Sequence, residues 1–392
     1  MKLKNFNKYF FVYLSLILFS SVFFITKTYN LDVNNSMAEW IINYQGGFGR
    51  RGFLGEIFSQ ISLVFNFPIR KLVLLFLYIL FICFYLMTFF YLKNLKKNYL
   101  FIFSLFSPLV FVFPISELEA LGRKDLLIPL LFLSFCFLFN KLNFYSLSIF
   151  LLIFYSILLL THEVSIFYLP FFYFLLFCKM SNFSMLKCFI ILFITSIFLL
   201  IIFLLSISIH SPENIKEMCN WIEINLNDKC GLGAYVLDRR LIDNINELGG
   251  VKFIDIIRGF LILFIGNLAV FLSIYNSSKE KLFFNMQIKY ILIFLFLLSL
   301  IPFGIAVDWG RWYHLSSIML VLAYFFCIKN NLIIFNHNSA LIKMINEIFS
   351  KKKFFFLVLF IFCFSWNPKA VYHEDIGSIP IYRVLGKIIK YY

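Results

Sequence analysis

The residues best suited to chemistry begin with Gln45-Gly-Gly-Phe-Gly-Arg-Arg-Gly-Phe-Leu-Gly55, where five glycines and two adjacent arginines share eleven positions. Glycine backbone at Gly46 and Gly47 can approach a ligand closely, and the guanidinium groups of Arg50 and Arg51 are flat forks that match phosphate oxygens. A plainer reading of the stretch is a turn between two membrane-associated helices, its arginines anchored to lipid headgroups. Further polar groups recur at the ends of apolar runs. They are Asp32 and Glu39 ahead of the glycine–arginine turn, Glu117 and Glu119 with Gly122-Arg123-Lys124-Asp125, His162-Glu163, Asp238-Arg239-Arg240, and Asp308-Trp-Gly-Arg-Trp312. Each alone has an ordinary explanation: a salt-bridged helix start at Arg123, a helix cap at His162, a snorkelling Arg311 in an aromatic belt. Several charged groups converging at one membrane face instead imply a polar cavity, because charge near hydrocarbon is costly unless paired or hydrated.

This inventory suits displacement at a sugar carbon whose leaving group is a lipid-linked pyrophosphate. Arginines would neutralise the charge growing on the departing phosphate, and a carboxylate or imidazole would take the proton of the attacking hydroxyl. His162 and Glu163, with Asp308, are the candidates for that proton transfer. Arg50, Arg51, Arg123, Lys124, Arg240 and Arg311 are the candidates for phosphate or glycan binding, with Asp32, Glu39 and Asp125 as supporting carboxylates. No His-x-x-x-His or Asp-x-Asp spacing is present, and no serine-hydrolase or P-loop pattern. The expectation is therefore an enzyme without metal or cofactor, in which arginine stands where a cation would.

The elements that must position these groups are membrane helices. The chain is 62% hydrophobic and only 14% charged, with mean hydropathy +0.89, which describes an all-α polytopic membrane protein in one integral domain over 1–392. Runs without Asp, Glu, Lys or Arg occupy 9–26, 72–92, 99–114, 126–140, 147–161, 164–178, 188–209, 259–276, 290–307, 312–328 and 354–366, giving about eleven spans, several of them short enough to be tilted or broken. The first resembles a signal peptide but lacks a small-residue cleavage site, so it reads as a retained helix.

With a cytoplasmic N-terminus the inner loops, 93–98, 141–146, 179–187, 277–289 and 329–353, draw all their positive charge from lysine. All nine arginines then fall on the outer side or its boundary, a choice that favours bidentate anion recognition over mere charge steering. The net charge of +15 points to acidic lipid or a phosphorylated substrate, and no nucleic-acid motif accompanies it.

The outer side would carry a first loop at 27–71 and a large loop at 210–258. The first loop contains an amphipathic helix over 53–67, with Leu54, Ile57, Phe58, Ile61, Val64 and Phe65 along one stripe and Pro68 as its stop. Similar stripes follow Ser339 and fill 381–392 as interfacial anchors. Cys219 and Cys230 are the two cysteines expected outside, where an oxidising exterior suits a disulfide, against two separate thiols as the alternative.

Together, the glycine–arginine first loop, the Gly-Arg-Lys-Asp cluster, His-Glu at a span mouth, the cysteine-containing outer loop and the Asp-x-Gly-Arg turn resemble the layout of bacterial surface-polysaccharide (O-antigen or capsule) repeat-unit polymerases of the Wzy type. More distantly they are similar to multi-span glycosyltransferases of the GT-C group. The resemblance implies an inner-membrane enzyme; the eleven spans, with the N-terminus cytoplasmic, place the C-terminus on the periplasmic side. Such an enzyme would join undecaprenyl-pyrophosphate-linked oligosaccharide repeat units on the periplasmic face, beside membrane lipid and other polysaccharide-assembly proteins. By the same resemblance Arg50, Arg51, Arg123, Arg240 and Arg311 would contact pyrophosphate or glycan. Two other readings stay open: a GT-C enzyme using a polyprenyl-monophosphate sugar with Asp32 or Glu39 as base, and a lipid-linked oligosaccharide flippase. A flippase would carry ionisable residues near the bilayer midplane, and the eleven runs enclose none.

Overall fold

The structure is a computed structural model, and it describes residues 6–29, 35–95, 98–180, 184–208, 212–231, 234, 237, 241–278, 287–370, 385, 386, 388 and 389. Asp32, Asp238, Arg239, Arg240 and Arg383, and most of the tail stripe over 381–392, lie outside them. The described chain is almost wholly helical. A two-residue antiparallel pairing of Ser277–Ser278 with Ile334–Phe335 is the one ladder among these residues.

In chain order the main helices are α1 (Phe6–Thr28), α2 (Phe53–Phe65), α3 (Ile69–Leu92), α4 (Tyr99–Ser116), α5 (Leu127–Leu138), α6 (Phe144–Thr161), α7 (Leu169–Lys179), α8 (Met185–Ser208), α9 (Pro212–Leu226), α10 (Leu241–Leu248), α11 (Phe253–Tyr275), α12 (Ile288–Leu298), α13 (Trp309–Lys329), α14 (Ala340–Ile348) and α15 (Lys352–Phe364). Each of the eleven apolar runs is helical over most of its length. Seven helices, α1, α3, α4, α6, α8, α11 and α13, are long and apolar enough to cross a membrane, since 18 residues rise about 27 Å against a hydrocarbon core of about 30 Å. The chain is thus a multi-pass membrane protein. The other runs give shorter helices; α5, with 12 residues, rises only about 18 Å.

Local signals account for several ends. Asn98 and Asn143 cap α4 and α6 by accepting from Phe101 N and Ser146 N at 2.8 Å, and Ser339 caps α14 through Ile342 N at 3.3 Å. Asn66, in the left-handed region at φ 47°, ends α2 just ahead of Pro68.

Contacts divide the chain into two compact units: Met1–Ser20, Thr88–Ala120 and Asn246–Tyr392 in the first, Ser21–Met87 and Leu121–Ile245 in the second. In the first unit, α13 is buried at every position from Trp309 to Cys327, packed by α4, α11 and α12. Its polar side chains are buried with partners of their own, His314 Nδ1 lying 2.8 Å from the Leu109 carbonyl, Ser316 Oγ donating to the Ser299 carbonyl at 3.0 Å and Ser317 Oγ accepting from Asn267 Nδ2 at 2.8 Å. In the second unit, α6 lies against α8 and against a 3-10 turn at Glu163–Tyr168, while α2 packs on the Glu39–Ile41 turn, on α6 and on α9.

Helix α2 differs from a surface helix of a soluble domain. Its buried side is Gly55, Phe58, Ser59 and Ser62, and Val64 and Phe65 are 75% and 73% exposed. Small residues let the helix approach the Glu39–Ile41 turn closely; of the apolar stripe, Phe58 turns inward while Ile57, Val64 and Phe65 stay exposed.

Candidate functional site

The glycine–arginine loop takes its shape from carboxylate and amide side chains around it. Glu56, in the first turn of α2, accepts from the Tyr44 backbone N–H at 3.0 Å, from Gln45 Nε2 at 2.7 Å and from Gln60 Nε2 at 2.8 Å. Asn43 donates to Ser59 Oγ at 3.0 Å and accepts from the Gln45 N–H at 3.1 Å. Gly46 then meets α9 backbone to backbone: a Cβ there would stand 1.9 Å from the Asn214 carbonyl oxygen. Gly47 follows at φ +113°, a conformation glycine adopts at little cost. Gly46 thus serves the docking of the loop on α9, while Gly47 and Gly49 line the cleft beside Arg50.

Beyond the turn, eight of the singled-out residues come together in the second unit. Arg51 holds a buried fork on Glu163: Nε lies 3.0 and 2.8 Å from the two carboxylate oxygens, and Nη2 lies 2.8 Å from Oε1. Arg123 Nη1 pairs with Glu39 Oε1 at 2.7 Å, and Arg51 Nη1 lies 3.9 Å from the same oxygen. Arg51 sits at φ +67°, an uncommon conformation for a side-chain-bearing residue. Its carbonyl oxygen there accepts from the fully buried Lys124 Nζ at 2.8 Å. The Lys124 ammonium also lies 5.7 Å from the Trp40 ring centre, and Trp40 Nε1 donates to the Gly122 carbonyl at 2.6 Å.

These contacts set the proton affinities. Burial would raise the Glu163 carboxyl, but the Arg51 guanidinium, helped by Arg50 and His162, holds it well below the usual carboxylate range. Burial pushes Lys124 down to about 7, with Glu39 and Glu163 pulling upward and Arg51 adding to the fall. Glu163 as placed is an ion-pair partner and a poor proton acceptor. Of the His162-Glu163 pair, the histidine is the member left as a candidate proton acceptor.

His162 is fully buried, and its Nε2 lies 2.7 Å from Asp125 Oδ1. With Nε2–H donating to that carboxylate, Nδ1 is the ring's acceptor, and Nδ1 has no hydrogen-bond partner among the described residues. A carboxylate that orients an imidazole, leaving its other nitrogen as acceptor, is the arrangement of an assisted general base.

Arg50 occupies a different position from its neighbour. Its side chain is 20% exposed, it lies 3.8 Å from Glu163 Oε1, and Nη2 donates to the Leu237 carbonyl at 3.3 Å. It borders a cleft of about 40 Å³ lined by the loop (Gly47, Phe48, Gly49), α9 (Asn214, Ile215, Met218) and Leu237. The residue after Met218 is Cys219, and the structure joins it to Cys230.

Asp308 and Arg311 form a separate pair within the first unit, Nη1 to Oδ2 at 2.6 Å, with the guanidinium 5.1 Å from the Trp312 ring centre. In that unit Glu117 accepts from the Ala370 N–H at 3.4 Å. Glu56, Asn214 and Phe48 were not among the sequence candidates. Glu56 had a legible signal, a carboxylate in the first turn of a helix directly after the arginine pair; Asn214 and Phe48 had none.

No family model, no curated protein and no solved structure matches this chain. Its site is therefore described by its own chemistry. Among the described residues no group of three or more His, Cys, Asp or Glu side chains is placed to hold a metal ion.

Proposed function

We propose that this chain is a glycosyltransferase of the bacterial inner membrane, acting at the outer face on sugar units carried by a polyprenyl phosphate or pyrophosphate, with repeat-unit polymerisation as the leading form. The observation that carries the reading is Arg50. It is a partly exposed guanidinium at the rim of a cleft, backed by a buried layer in which Arg51, Arg123 and Lys124 are already engaged with Glu39, Glu163 and the loop backbone. In this reading the fork of Arg50 meets the departing phosphate, where charge develops as the glycosidic bond breaks. Arg51 fixes the loop that presents it. His162, oriented by Asp125, takes the proton of the attacking hydroxyl at Nδ1, which is buried in this structure and reached only after the surrounding chain rearranges. The larger span count, with the shorter helices α5, α7, α12 and α15 paired or tilted, belongs to the same proposal.

The test is complementation of surface-glycan production in a strain lacking the gene, scored on gels at matched protein level. Arg50→Ala is expected to lower turnover about 10²–10³-fold, as removal of a preorganised anion donor does. Arg50→Lys is expected not to restore it, because a point charge does not reproduce the fork. Arg51→Ala leaves Glu163 buried without its main counter-ion, which costs about 3–5 kcal/mol, so its loss reports folding. Normal glycan from a well-expressed Arg50→Ala protein refutes the proposal.

A further inference from the structure

In the first unit, α1 and α15 begin at one level. The Tyr9 ring of α1 meets the Phe356 ring of α15 edge-on with centroids 5.9 Å apart, and further along Tyr13 OH lies 4.0 Å from Cys363 Sγ. In each helix a lysine is the last charge before an uncharged run, Lys8 ahead of 9–26 and Lys353 ahead of 354–366. Such positions stand where hydrocarbon gives way to headgroups. Lys352 and Lys353 precede Phe356 by four and three positions, so they share its face of α15. Helix α14 brings more charge to the same place. Its ends are held on α11 and α4: Ser339 Oγ donates to Asn276 Oδ1 at 2.7 Å, and the Phe349 carbonyl accepts from Tyr99 OH at 2.8 Å. Phe349 stacks on Phe354 at 6.1 Å, across the turn that carries Lys351. Lys8, Lys343, Lys351, Lys352 and Lys353 are all exposed and form no ion pair among the described residues. Glu347 is the one acidic side chain in 339–353.

We propose that this edge of the first unit is a docking surface for an anionic glycerophospholipid, its phosphate held by Lys8, Lys352 and Lys353 and an acyl chain lying along the seam of α1 and α15. Charge complementarity selects the occupant: an unpaired row of ammonium groups at the hydrocarbon boundary attracts a negative headgroup and gains nothing from a zwitterionic one. Lysine suits this task because a point charge accepts a mobile headgroup in many orientations, whereas a guanidinium fork selects one. The surface beneath the row is apolar and open. Val12 and Leu16 follow Tyr9 on its side of α1, Phe360 follows Phe356 on α15, and all three are exposed. Met344 and Ile348, one turn apart on α14, are exposed as well and rest on the lipid beside the same headgroup. The inference is independent of the reading of Arg50, which lies in the second unit.

The experiment is native mass spectrometry of the purified full-length protein in detergent, mixed with equal amounts of phosphatidylglycerol and phosphatidylcholine of the same chain length. The wild type is expected to retain phosphatidylglycerol on the order of tenfold better than phosphatidylcholine, the scale of one or two lysines near an anionic headgroup. Lys352→Gln/Lys353→Gln should bring that ratio close to one, and Lys8→Gln should lower it in part. Lys352→Arg/Lys353→Arg should keep it, since the charge is conserved. A control with the same loss of charge is Lys141→Gln/Lys187→Gln, two exposed lysines of the second unit; it should keep the wild-type ratio. The substituted side chains are exposed, so all of these proteins are expected to fold, which their melting temperatures check. Equal retention of the two lipids by the wild type overturns the proposal. So does a preference that survives Lys352→Gln/Lys353→Gln, a loss in the arginine variant, or an equal loss in the second-unit control.

Discussion

At the scale of single residues, Lys124 ties the site to pH. Its ammonium is buried beneath the loop, and burial brings it down to about 7, while in the unfolded chain a lysine titrates near roughly 10.4. Between those values the folded chain binds fewer protons than the unfolded one, so stability rises with pH across that window. Below about 7 the penalty of the buried charge is full. Thermal midpoints in detergent should therefore climb from about pH 6 to about pH 9 in the wild type, and Lys124→Met should lack most of that climb. Parallel profiles for the two proteins would remove Lys124 from the account. The sequence marked Lys124 as a phosphate ligand because a lysine beside an arginine at a span mouth is a common anion signature. Nothing in its neighbours shows that Nζ turns to the carbonyl of Arg51, which is 73 positions away.

Among the elements, the glycine–arginine loop and α9 form one unit of fit. Gly46 faces the α9 backbone with no room for a methyl, whereas Gly49 has nothing within 4 Å of its would-be Cβ. Gly46→Ala is expected to displace the loop, lower the melting temperature and abolish activity; Gly49→Ala is expected to melt close to wild type. Circular-dichroism melts with glycan complementation separate the two, and equal tolerance at both positions would dismiss the close packing of loop and helix. The helices were legible from the sequence because eleven uncharged runs leave little alternative, and the caps at Asn98, Asn143 and Ser339 are local. The role of the glycines was not. Spacing alone shows that a chain can turn, but whether a bare backbone faces a ligand or another helix is decided by residues near 214.

For the whole molecule, the arrangement of charge predicts orientation. Every arginine falls on one side if the lysine-bearing loops are cytoplasmic. Reporter fusions at Asn336 should then read as cytoplasmic, and fusions at Asn220 as outside. A cytoplasmic signal at Asn220 would reverse the orientation and strand the Arg50 cleft on the wrong face for a lipid-linked donor. The eight polar residues that gather in the second unit could be singled out in the sequence as one-sided, but their pairing could not. Glu163 looked like a base because it stands where a span opens outward, and only the fold reveals that Arg51 claims it. Asp308 and Arg311 looked like further members of the same set, and they pair within the first unit.

The Arg51–Glu163 fork also sets a clock. Its partners are 112 positions apart, and a ribosome adding about 5–20 residues per second needs about 6–20 s to pass from one to the other. For that interval the nascent chain carries its arginine pair with Glu163 not yet made, so the loop cannot take its final form while α3–α6 are being synthesised. The fork therefore waits for residue 163 to be made, and any fragment that stops before Glu163 carries Arg51 without the carboxylate that its fork requires.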